Sequence, residues 1–252
     1  MSAALTDRVQ RSFSRSFRSY HDEAGQQARI AERLVSDLQG CGAPRRFANA
    51  LELGCGTGHL TRRLCRDFGF GTLHLNDLAP EARLTARAAG AAFLLGDATD
   101  IDWPEPLGLV ASASMIQWLH DPSLLLSKAA AALAPGGWLA VSGFGPLQYR
   151  ELARIGSSAK APGLCRSEDL AAAVDRQMEV VLAAEKVQQV HFATPRQVLE
   201  HLRKTGVNGR AGKPWTKSTL ARFTNRYVRH FGTAAGVPLT YHPVWIIARK
   251  PG

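Results

Sequence analysis

The chain has 252 residues, of which 45% are hydrophobic and 21% charged, a balance that fits a packed globular protein and excludes a disordered or fibrous one. No apolar run approaches the ~20 residues that span a bilayer. There is no N-terminal apolar segment of secretory type, and Cys41, Cys55, Cys65 and Cys165 lack metal-ligand spacing. A reducing cytoplasm without structural metal is therefore expected, while the net charge of +10 points to an acidic protein, a nucleic acid or an anionic surface without choosing among them.

In chain order, residues 6–38 are predicted helical, with Phe13, Phe17 and Tyr20 on one face and Arg8, Arg11, Arg15 and Arg18 on the other. Strands are expected at Ala48–Leu53, Thr72–Asn76, Ala92–Leu95, Leu107–Ala113 and Trp138–Ser142. Helices at His59–Phe68, Pro80–Ala89 and Pro122–Leu133 fall between them. That alternation argues for a parallel sheet covered on both faces. Pro135-Gly136-Gly137 reads as the turn into the fifth strand. Residues 147–180 look helix-rich, Val181–Phe192 supplies another strand, residues 195–231 read as two helices, and Val244–Arg249 is the last strand. The expected organisation is one domain over residues 1–252: an N-terminal helical segment (1–45), a nucleotide-type core (46–145) and an all-helical lid inserted at 195–240 over the sheet's carboxyl edge.

The strongest local signal is Glu52-Leu53-Gly54-Cys55-Gly56-Thr57-Gly58, which closes a strand and opens a helix. A glycine-rich turn there lets backbone amides approach a nucleotide closely. The glycines run GxGxG, not GxGxxG. Glu52 would repel a pyrophosphate but tolerate an ammonium or a sulfonium. Asp77 follows Gly56 by about 20 residues, at the place for a carboxylate that grips ribose hydroxyls. After the third strand, Gly96-Asp97-Ala98-Thr99 brings an acid within reach of an adenine amino group.

Together these segments resemble the class I S-adenosylmethionine-dependent methyltransferases. The resemblance implies a Rossmann-like α/β fold with a mainly parallel seven-stranded sheet, helices on both faces, N-terminal helices and a helical insertion before the last strand. It implies S-adenosyl-L-methionine as cofactor, held by Glu52, Gly54, Gly56, Gly58, Asp77, Leu78, Asp97, Ala98 and Ser114.

Four further segments resemble a narrower family, the malonyl-acyl-carrier-protein O-methyltransferases of biotin synthesis. They are Phe13, Phe17 and Tyr20 with Ala24 and Gln27; Ser112–Leu119; Phe144-Gly145-Pro146 with Glu151; and Lys204–Asn208 with Trp215-Thr216 and Pro238–Tyr241. Gln117-Trp118 and the Thr205-Gly206-Val207-Asn208 and Leu239-Thr240-Tyr241 runs are the specific ones. Three positions depart from that family's pattern: Gly108 where an acid is usual, Ala113 for an asparagine, and His242 for a glutamate.

The resemblance implies methyl transfer to the free carboxylate of a malonyl thioester on acyl carrier protein. Such a carboxylate, with a pKa of ~3.5–4, is ionised at neutral pH and needs no general base. The site has to align it with the methyl group at about 3–3.5 Å and exclude water. Tyr20, His21, Gln117, Trp118, His120 and Arg150 are the candidates for positioning it, each with a structural alternative as core, cap or solvated charge. An acidic carrier protein would dock on the basic insertion, through Arg203, Lys204, Arg222, Arg226 and Arg229. A monomer without nucleic-acid or membrane partners is expected. The competing readings are a methyltransferase of another small acid or a quinone, an RNA methyltransferase, and a SAM-binding protein without turnover.

Overall fold

The computed structural model describes residues 25–157, 160–204 and 216–252. The expectations for residues 6–24, Tyr20 and His21 among them, and for Thr205–Trp215 lie outside the described residues. Helix α1 (Gly25–Gly40) leads into β1 (Arg46–Leu53), α2 (His59–Asp67), β2 (Gly69–Asp77), a 3-10 turn (Pro80–Ala82), α3 (Arg83–Ala89) and β3 (Ala92–Leu95). Then come β4 (Leu107–Ala113), a second 3-10 turn (Ile116–Trp118), α4 (Pro122–Ala132), β5 (Leu133–Phe144), α5 (Arg150–Arg154) and α6 (Ser167–Ala172). The chain ends with β6 (Glu179–Glu185), β7 (Gln188–Phe192), α7 (Pro195–Lys204), α8 (Lys217–Phe231), β8 (Val237–Tyr241) and β9 (Pro243–Arg249).

Seven strands form one sheet in the order β3-β2-β1-β4-β5-β9-β6. β1 pairs in parallel with β2 and β4, and β9 is antiparallel to both β5 and β6. Strand order reverses between β1 and β4, so the crevice outside their carboxyl ends is the expected ligand position of such a sheet. Central strands buried on both faces read as apolar runs. In β1, Leu51 and Leu53 face α4 and α6, through Leu125, Leu126, Ala129 and Leu170. Ala50 faces the other side, toward Leu34, Val35 and Leu38 of α1 and Leu60 and Leu64 of α2. Asp121 caps α4 by accepting from Ser123 N at 2.9 Å, with Pro122 in the first turn, and Gly90, at φ 64°, ends α3.

The boundary between α4 and β5 differs from expectation. β5 runs from Leu133 through the Pro135–Gly137 segment, and its pairing with β4 slips between Leu107 and Leu109. Gly136, at φ 75°, makes the local turn, with its N–H on Lys250 O at 3.0 Å.

The insertion is also corrected. Residues 195–240 are not all-helical: Val237–Tyr241 is a strand, paired antiparallel with β7 in a separate two-stranded ribbon. The stretch Val181–Phe192 likewise divides into two strands, β6 in the main sheet and β7 in that ribbon. The ribbon and helices α7 and α8 close over a third core that includes Phe144, Tyr149, Val198, Tyr227, Leu239 and Tyr241. Because Pro243 pairs with Phe144 at the end of β5, this unit emerges at the carboxyl edge of the sheet. No helix among the described residues is long and apolar enough to cross a membrane.

Candidate cofactor site at the carboxyl edge

One cavity opens where β1, β2, β3 and β4 end. Its wall includes Glu52, Gly54, Gly56, Asp77, Leu78, Asp97, Ala98 and Ser114, together with Gln27, Asn76, Met115, Trp118 and Leu119. The glycine-rich turn meets three different demands. Gly54 sits at φ 68°, and a Cβ there would stand 2.5 Å from Met115 Cγ, so only glycine fits. Gly56, at φ 48°, has nothing within 4 Å of the place a Cβ would take, so the turn leaves that space open to a ligand. Gly58 is not part of the cavity wall. It precedes α2 in the left-handed conformation (φ 84°), where a Cβ would meet Thr85 Cγ2 at 2.7 Å.

The acids are held in place. Asp77 Oδ2 accepts from Gly56 N and Oδ1 from Ala79 N, both at 2.8 Å. A carboxylate offers about four acceptor positions, so capacity remains for hydroxyl donors. Burial pushes the Asp77 carboxyl up, against the lowering effect of those backbone amides. Glu52 is 1% exposed, and its Oε2 has no hydrogen-bond partner among the described residues. Burial pushes its carboxyl up to about 8, with Thr61 hydrogen bonding lowering it and the Asp77 charge raising it. Asp97 accepts from the N–H (3.0 Å) and hydroxyl (2.8 Å) of Thr99, which shapes the turn after β3.

Sequence reasoning overlooked Asn76. Its buried amide donates to Leu94 O at 3.0 Å and Gly96 O at 2.9 Å, tying the β2 end to the loop that carries Asp97. The available signal was a polar residue ending an apolar strand, next to the acid. Ser114 adopts φ 58°, and its buried hydroxyl lacks a partner among the described residues. Such orphaned polar atoms around an open space fit a ligand rich in donors and acceptors.

Of the substrate-side candidates among the described residues, Gln117, Trp118, His120 and Arg150, one lies on the cavity wall. Trp118 lines the cavity. Gln117 is 4% exposed, absent from the cavity wall, and donates from Nε2 to Ser114 O at 2.6 Å; it braces the loop beneath the site. His120 is exposed and off the wall, just before the α4 cap. The Arg150 side chain is 50% exposed, with Nε 3.7 Å from Glu151 Oε1.

Glu151 has a structural position that the sequence did not reveal. Its carboxylate is buried and accepts from Thr240 N at 2.9 Å and from the Thr240 hydroxyl. Two segments far apart in sequence thus meet in one contact that fastens the ribbon to α5. His242 follows: its Nδ1 accepts from Leu147 N at 3.2 Å, and a Cβ on Gly145 would lie 2.4 Å from its ring. In the insertion Tyr227 is buried, while Arg203, Arg222, Arg226 and Arg229 are exposed and Lys204 is half-buried.

Comparisons with known proteins agree with this geometry. Residues 51–141 match a family model described as a methyltransferase domain. The malonyl-[acyl-carrier protein] O-methyltransferase of Bacteroides thetaiotaomicron is 33% identical over 94% of this chain and 95% of its own length. That of Chlorobium luteolum is 34% identical over 98% and 97%. A Bacteroides fragilis protein of the same name is 36% identical, and there the chain spans 49% of the relative's length. Among solved structures, the N-methyltransferase NodS of Bradyrhizobium japonicum with S-adenosyl-L-homocysteine has a TM-score of 0.54 at 14% identity, covering 97% of this chain and 99% of that one. The YcgJ protein of Bacillus subtilis gives 0.60 at 13%, covering 87% and 98%. Near-full-length identity above 30% to the first two relatives extends through the carboxyl-edge insertion as well as the nucleotide-type core, and the chain belongs to the malonyl-[acyl-carrier protein] O-methyltransferase family.

Proposed function

We propose that this chain transfers the methyl group of S-adenosyl-L-methionine to the free carboxylate of a malonyl group carried on acyl carrier protein, giving the methyl ester that primes pimeloyl synthesis for biotin. The observation that carries the reading is the carboxyl-edge cavity, in which Glu52, the open face of Gly56, Asp77 and Asp97 meet. It stands in a chain similar to malonyl-[acyl-carrier protein] O-methyltransferases over nearly its whole length.

The residues fit the cofactor on the structure's own terms. Asp77 would hold ribose hydroxyls, Asp97 and Ala98 the adenine, and the unpartnered Glu52 oxygen a cationic aminoacyl end. When bound, the cofactor supplies an electrophilic methyl group on a cationic sulfur. Met115, Trp118 and Leu119 are among the apolar residues of the wall, and their exclusion of water would strip solvent from an incoming carboxylate. No side chain has to remove a proton, because the nucleophile is already ionised. The basic insertion would receive the acidic carrier, through Arg203, Lys204, Arg222, Arg226 and Arg229.

The test is methyl transfer from labelled cofactor to malonyl-acyl carrier protein, malonyl-CoA and bulk RNA side by side. Base-labile label on the malonyl carrier, well above that on the other acceptors, is the expected result. Label on RNA alone, or on none of the three, overturns the assignment.

A further inference from the structure

Helix α1 buries Gln27, Ile30, Ala31, Leu34, Val35 and Leu38 on one face. Five of these are apolar; the exception is Gln27, which is 7% exposed. A glutamine in an apolar stripe is destabilising unless its amide finds a partner. Its Oε1 has none among the described residues. Gln27 and Ala31, one helical turn apart, are the two α1 residues on the cavity wall, and the small Ala31 lets the helix come close.

The register of α1 is fixed from both sides. Outward, Gln26 Oε1 accepts from Gln188 Nε2 of β7 at 2.7 Å, and Ile30 enters the core beneath the insertion. Inward, Leu34 and Leu38 pack on the main sheet. Asp37 accepts from Trp245 Nε1 at 2.9 Å. Gln27 is thereby presented to the cavity on the β-sheet face that also carries Glu52, whose Oε2 is likewise unpartnered.

We infer that Gln27 is a cofactor-binding residue, its carboxamide hydrogen-bonding to the charged aminoacyl end of the methyl donor and of its demethylated product. This rests on the cofactor reading proposed above. A carboxamide suits that end of the ligand because it accepts from an ammonium or donates to a carboxylate. Being neutral, it is also less costly to bury beside Glu52 than a second charge.

The test measures binding of S-adenosylhomocysteine and of 5′-methylthioadenosine, which keeps the adenosyl thioether but lacks the aminoacyl end. Gln27→Met should weaken S-adenosylhomocysteine by about ten-fold or more, as expected for losing a hydrogen bond to a charged group, and leave 5′-methylthioadenosine unchanged. Gln27→Asn, which shortens the reach, should show the same selectivity if the methionine variant does not fold. Gln26→Leu, which breaks only the bond to Gln188, should leave both affinities as in the parent chain. Equal losses for both ligands, or no loss for S-adenosylhomocysteine, overturn the inference. A parent chain that binds neither ligand overturns the cofactor reading itself, which separates the two failures.

Discussion

Glu52 is a carboxyl group only 1% exposed on the wall of the cavity, with a second acid, Asp77, raising its proton affinity further. The folded chain therefore keeps a proton that the unfolded chain has already released between the ordinary carboxyl range and about pH 8. The sign follows by linkage: the folded state binds more protons in that window, so stability falls as pH rises through it and levels off above. A cationic ligand reverses the preference, because it favours the ionised carboxylate. Cofactor affinity should accordingly rise with pH up to about 8, with proton release on binding below it. Glu52→Gln should flatten both profiles and weaken the cofactor. Calorimetry in buffers of different ionisation enthalpy measures the released proton, and an affinity that is level from pH 6 to 8 in the parent chain would remove Glu52 from the ammonium's environment.

At the scale of elements, polar contacts anchor the insertion. Glu151 in α5 accepts two hydrogen bonds from Thr240 in β8, and Tyr227 of α8 donates to Pro238 O at 2.7 Å. Removing the carboxylate in Glu151→Ala orphans a buried N–H and a buried hydroxyl, a loss of about 2–4 kcal/mol. The expected outcome is local: amide exchange in Val237–Tyr241 should speed up while β1 and β4 keep their protection. Uniform acceleration across the sheet would show that the ribbon and core unfold as one unit.

The same elements show what the sequence could reveal. The parallel core was legible because strands buried on both faces make apolar runs and the intervening helices carry their own punctuation, such as Asp121-Pro122 before α4 and Gly90 after α3. The β7-β8 ribbon was not, since Val190 pairs with Leu239, and a five-residue strand of mixed polarity does not name a partner so distant in sequence. That Glu52, Asp77 and Asp97 come to one cavity was legible because one turn and two strand ends carry them. Gln117 is harder to read, because a side chain that donates to Ser114 O and leaves its Oε1 without a partner among the described residues looks, in sequence, like any polar residue of a loop. Gln27 gave too weak a signal, since its meaning depends on which face of α1 meets the cavity.

For the whole molecule, charge is the property least tied to the fold. The net charge is +10, and the described part of the insertion exposes Arg203, Arg222, Arg226 and Arg229 on α7 and α8. Arg222, Arg226 and Arg229 are exposed, while Phe223, Tyr227 and Phe231 turn toward the third core, with Tyr227 fully buried. Charges on a solvated helix face add little to stability, so reversing them should spare the fold. Their field acts on encounter with an anionic partner, over a distance of ~8 Å at physiological ionic strength. The double substitution Arg222→Glu and Arg226→Glu should therefore raise KM for malonyl-acyl carrier protein by about ten-fold or more. Cofactor affinity and turnover of malonyl-CoA should be unchanged. Added salt should raise KM in the parent chain and have little further effect in the variant, because the screened interaction is then already gone. An unchanged KM with the same salt dependence in both proteins would place carrier recognition elsewhere on the surface, leaving these arginines to keep the protein dispersed in water.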